Sequence, residues 1–106
     1  MNFDILPIRV PERISASRAI EILLEAKSHI DAYYYLCHSV ERTKCTENEA
    51  SDVCLIIESA LGANYTLTGY LLDLDEDILT NAPDDALTAA RYDLADKIID
   101  QLKELT

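Results

Sequence analysis

The chain has 106 residues, 49% of them apolar, and its 20 acids against 9 bases give a net charge of −11. A chain of this size buries roughly 60–70% of its unfolded surface without staples, which excludes a disordered tail and argues for one domain, 1–106. No apolar run approaches the ~18–20 residues of a bilayer span, no basic-then-apolar leader opens the sequence, and no basic stripe exists to meet phosphates. Membrane insertion, secretion and direct nucleic-acid binding are therefore not expected.

Two glycines and three prolines are too few for the many turns of a strand-rich domain. The composition predicts an all-α fold: an antiparallel helical hairpin plus a third helix, a three-helix bundle, preceded by a short extended arm. The three cysteines, Cys37, Cys45 and Cys54, are odd in number and lack CxxC spacing. They read as reduced thiols and point to the cytoplasm.

In chain order, residues 1–14 alternate loosely apolar (Phe3, Ile5, Ile8, Val10) and contain Pro7 and Pro11, the pattern of an extended arm that lies on its own bundle or on a partner subunit. The first helix is predicted over 15–44, with Ser15 available as N-cap. Its seam of Ala16, Ala19, Leu23, Ala26, Ile30, Tyr33, Cys37 and Val40 alternates spacings of three and four. Thr46-Glu47-Asn48-Glu49 is a capping box and opens a second helix over 47–74. Ala50, Val53, Ile57, Ala60, Asn64, Leu67, Leu71 and Leu74 form its seam. Gly62 and Gly69 fall opposite that seam: either they face solvent, or Gly62 ends the helix and 65–68 is more extended, and one continuous helix is the favoured reading. Pro83 in a first turn with Asp84 and Asp85 opens the third helix, 83–105, on Leu87, Ala90, Leu94, Ala95, Ile98, Leu102 and Leu105. A third helix this short does not obviously cover both apolar faces of a long hairpin, which points to a homodimer.

The charge is unevenly placed. Residues 1–45 hold six acids and six bases, residues 83–106 six acids and three bases, but residues 46–82 hold eight acids and no Lys or Arg. An acidic rod of this kind serves solubility, or offers an electrostatic footprint to a basic protein surface. The residues expected to form that surface are Glu47, Glu58, Asp73, Asp75, Glu76 and Asp77. Tyr33-Tyr34-Tyr35 cover about 200° of a helix, so Tyr34 and Tyr35 are expected outside the core as aromatic contacts to a partner.

Catalytic and metal signals are weak. Asp73-Leu-Asp75-Glu-Asp77 resembles the opening of an EF-hand calcium loop, with Asn81 and Asp84 at its ninth and twelfth places. It departs at Ile78, where that loop needs glycine, and at Asp84, too short for bidentate closure. Glu49 and Asp52 have the ExxD spacing of all-α nucleotide pyrophosphohydrolases, but Glu21 and Glu25 lack the matching ExxE pattern. Cys37, His38, Cys45 and Cys54 match no zinc-site spacing. No nucleophile elbow, phosphate loop or HExxH is present. The expectation is a non-enzymatic protein without cofactor or metal that acts by protein–protein interaction, as a regulator or inhibitor of a basic partner. A divalent-metal module and a structural subunit of a larger assembly are the alternatives.

Overall fold

A turn at Pro11–Ile14, closed by the Ile14 amide on the Pro11 carbonyl (3.3 Å), ends the N-terminal segment, and Ser15 starts the first helix. Its backbone is extended (φ −81°, ψ 153°) and its hydroxyl accepts from the Arg18 amide at 3.1 Å, satisfying one of the orphan donors of the first turn. The computed structural model describes residues 5–31, 35–62 and 83–106. All regular structure among them is helical: α1 (Ala16–Ala26) with a 3-10 turn (Lys27–His29), α2 (Leu36–Glu41), α3 (Glu47–Leu61) and α4 (Pro83–Glu104). The fold is an all-α helical bundle.

α1 buries Ala19, Ile22, Leu23 and Ala26, one face at helical spacing. That face packs on α4 and, over fewer residues, on α2 and α3. The expected continuous helix over 15–44 is not what forms. The α-helix stops at Ala26, tightens into the 3-10 turn, and Ile30 turns extended (φ −70°, ψ 133°) before α2 begins at Leu36 behind an extended Tyr35. No glycine or proline marks this break. Two non-local groups hold it open: the Ser39 hydroxyl donates to the His29 carbonyl at 3.2 Å, and the Arg91 guanidinium donates to the Asp31 carbonyl at 3.0 Å. Carbonyls that a continuous helix would have satisfied internally thus find partners on α2 and α4. The break lets α2 fold onto α1 and α3 and bury Leu36 and Val40.

α3 opens on the capping box read from the sequence. The Thr46 hydroxyl accepts from the Glu49 amide at 3.1 Å, and the Glu49 carboxylate accepts from the Thr46 amide at 3.0 Å. Ala50, Val53, Ile56, Ile57, Ala60 and Leu61 are its buried face. The expected continuation to residue 74 is overturned at its start, because Gly62 caps the helix with φ +59° and ψ −125°, a backbone open to glycine and strained for any side chain. The remainder of the expected segment, including Asn64 and Gly69, lies outside the described residues.

The N-terminal segment lies on its own bundle. The Leu6 amide donates to the Ala60 carbonyl (2.9 Å), the Arg9 amide to the Ser59 hydroxyl (2.9 Å) and the Ile8 amide to the Gln101 side-chain carbonyl (3.4 Å). It thereby bridges the C-terminal turns of α3 and α4, packing Ile5, Ile8 and Val10 against the core. α4 buries Ala86, Ala90, Leu94, Ala95, Ile98, Ile99 and Leu102; Leu87 is only half-buried and Leu105 is 61% exposed. Arg91, not expected inside, is also buried, and its Nε has no hydrogen-bond partner among the described residues. Burial pushes its pKa down, against the pull of Asp31.

Candidate functional site

Unlike α4, whose six acids are mixed with Arg91, Lys97 and Lys103, α3 carries acids and no Lys or Arg. Its four acids divide into two pairs with different surroundings. Glu49 grips Arg18 of α1 through both carboxylate oxygens (2.6 and 3.4 Å) while completing the capping box. The same guanidinium reaches Glu21 at 3.0 Å and the Lys44 carbonyl at 3.2 Å. Arg18 and the Thr46 amide hold the Glu49 carboxyl down to about 2, and Glu49 and Glu21 push Arg18 upward. Asp52 is enclosed at 1% exposure and meets Arg13 at 2.7 Å. These two carboxylates tie α1 and the N-terminal segment to α3.

Glu47 and Glu58 are different. Both are exposed, and with Ser51 and Leu55 they share one face of α3. Eleven residues apart, they lie about 16 Å from each other along the axis at ~1.5 Å per residue. Leu55, 48% exposed, sits between them. Among the described residues neither acid pairs with a base. Of the other residues expected in this surface, Asp73, Asp75, Glu76 and Asp77 lie outside the described residues, and so does Tyr34. Tyr35 is 54% exposed but caps α2 and does not stand on α3.

Beside this face, Glu41, Cys45, Thr46, Glu47, Ala50, Ser51 and Cys54 line an open groove of about 490 Å³ between the end of α2 and the start of α3. All three cysteines are free and half-buried. Cys45 is held by the Thr43 hydroxyl (3.2 Å) and the Val40 carbonyl (3.8 Å), both in its own turn. Cys54 instead points across to α2, donating to the Cys37 carbonyl at 3.8 Å. In the sequence, these cysteines with His38 made a four-residue set whose spacing matches no zinc site. Among the described residues, no group of three or more His, Cys, Asp and Glu side chains is placed to hold a metal ion. The calcium-loop resemblance at 73–84 falls almost wholly outside them.

Sequence reasoning missed the Arg18–Glu49 and Arg13–Asp52 pairs and the approach of Cys37 to Cys54. The first two carried no local signal, since the partners are 31 and 39 residues apart. The third carried a faint one, because positions 37 and 54 fall on either side of the turn at 42–46.

No helix among the described residues is long and apolar enough to cross a membrane. The fold and the exposed face define a class, an all-α bundle with an acidic helix on its surface. No protein-family model matches the chain, and neither a curated protein nor a solved structure does.

Proposed function

We propose that the protein works without catalysis, by presenting the exposed face of α3 to a protein partner whose surface is basic. One observation carries this reading. Two of the four acids on α3 are engaged within the bundle, while Glu47 and Glu58 flank an exposed leucine on the solvent side. Residues 46–82 supply no Lys or Arg to neutralise them. An apolar centre flanked by like charges gives contact area with electrostatic selection of the partner. Asp73, Asp75, Glu76 and Asp77 extend the same charge along the chain, and the exposed Tyr35 offers an aromatic contact nearby in sequence. A regulator or inhibitor of a basic protein fits this surface. Free thiols fit a reducing compartment such as the cytoplasm. A homodimer that joins copies through other exposed apolar side chains, such as Leu24 and Leu105, leaves α3 available.

The test is affinity capture from cell lysate with the wild-type protein, a Glu47→Lys/Glu58→Lys variant, and a control that reverses Asp100 and Glu104 on α4. Wild type and control retain the same basic protein at low salt and release it at high salt, where charges at the surface are screened within a few ångströms. The α3 variant loses it. Equal retention by all three proteins contradicts the proposal.

A further inference from the structure

Cys37 on α2 and Cys54 on α3 face each other across the hairpin. The Cys54 thiol donates to the Cys37 carbonyl at 3.8 Å, which brings its sulfur against the Cys37 backbone. They are 17 residues apart in sequence, on two helices that pack along each other. Cys54 forms part of the groove wall, so a small solute reaches it without unfolding. Cys45 lines the same groove, but its sulfur is occupied within its own turn.

We propose that Cys37 and Cys54 are a modification site that closes into a reversible disulfide between α2 and α3 on reaction with a peroxide. In the first step the Cys37 thiolate attacks one peroxide oxygen. The O–O bond breaks, Cys37 becomes a sulfenic acid, and the departing hydroxide takes up a proton as water. In the second step the Cys54 sulfur attacks the Cys37 sulfur. The S–S bond forms as the S–O bond breaks, and the hydroxyl leaves as water with the Cys54 proton. Two thiols are oxidised by two electrons in total, and one peroxide is reduced to two waters.

The environment assigns the two roles. Cys37 is pulled below its ordinary value by the adjacent Cys54, although burial, Glu58 and Glu41 oppose this. Cys54 is pushed up by the neighbouring Cys37 and by burial. The attacking group is the thiolate; the Cys54 proton is engaged with the Cys37 carbonyl, which keeps Cys54 as the thiol, so Cys37 attacks and Cys54 resolves. Thiol pairs of this kind in reducing compartments are transient and redox-responsive. The bond would form beside Glu47, on the same groove wall, and near Glu58, but it does not depend on the acidic face having a partner.

The experiment treats the reduced, purified protein with equimolar hydrogen peroxide, then reads intact mass, a non-reducing peptide map and thermal stability. The expected product is a monomer lighter by two hydrogens, with one cross-link joining Cys37 to Cys54, reversed by dithiothreitol. Its Tm rises by about 5–10 °C, as closing a short loop predicts. Cys45→Ser behaves as wild type, whereas Cys37→Ser and Cys54→Ser give no intramolecular bond. The wild-type peptide map alone decides the pairing, so a poorly folding variant does not obscure the answer. A cross-link through Cys45, intermolecular dimers only, or accumulation of higher oxyacids on Cys37 without a disulfide would overturn the proposal.

Discussion

Asp52 and Glu49 illustrate how differently two carboxylates on one helix are used. Asp52 is enclosed, and Arg13 reaches it from the N-terminal segment with a side chain that is itself 63% exposed. Removing that arginine leaves a buried carboxylate short of its partner. Because one side of the pair is wet, the cost lies below that of a fully buried ion pair. Arg13→Ala should destabilise the protein by about 1–3 kcal/mol, read from urea unfolding; an unchanged midpoint would show that water serves Asp52 equally well. Glu49 acts through pH. Its folded value of about 2 lies below the ordinary 4.5, so the unfolded chain takes up this proton first as pH falls. The stabilisation is complete above about pH 4.5 and disappears as pH falls towards 2. Glu49→Gln should flatten the acid limb of the stability curve in that window, measured by thermal melts across pH. A mutant curve parallel to wild type there would contradict the assignment.

Among the elements, α3 is the one most legible in sequence and α1–α2 the least. The capping box at Thr46 and Glu49 is local, and both of its hydrogen bonds form as the spacing requires. The break between α1 and α2 is set by Ser39 and Arg91, which lie 10 and 60 residues from the carbonyls they satisfy, so no periodicity could reveal it. The unbroken heptad pattern even argued against it, because Ile30, Tyr33, Cys37 and Val40 carry the seam straight through the break. At Gly62 the available signals conflicted. The apolar seam continued, but a glycine stood where a helix could end, and tertiary structure chose the ending. A Cβ at Gly62 would stand 2.5 Å from Leu6 Cδ1, the mobile tip of a side chain, so the main obstacle to a larger residue is the positive φ. Gly62→Ala should therefore cost about 1–3 kcal/mol by chemical denaturation. No loss would mean that the backbone relaxes into a continuing helix.

For the whole molecule, the all-α class followed from composition and periodicity, and the core formed on the expected stripes of α3 and α4. The site was only partly legible. Glu47 and Glu58 could be placed outside because they fall off the apolar seam. That Glu49 and Asp52 would be withdrawn from the surface depended on arginines distant in sequence. The resulting surface is narrower than the net charge suggests: a face of two acids and one leucine on a helix clamped by Arg18 and Arg13. The most direct test of the central claim is carbodiimide labelling of carboxylates, with and without the captured partner. Glu47 and Glu58 should lose labelling in the complex while Asp84, Asp100 and Glu104 on and beyond α4's first turn keep theirs. Unchanged labelling of Glu47 and Glu58 in a formed complex would contradict it.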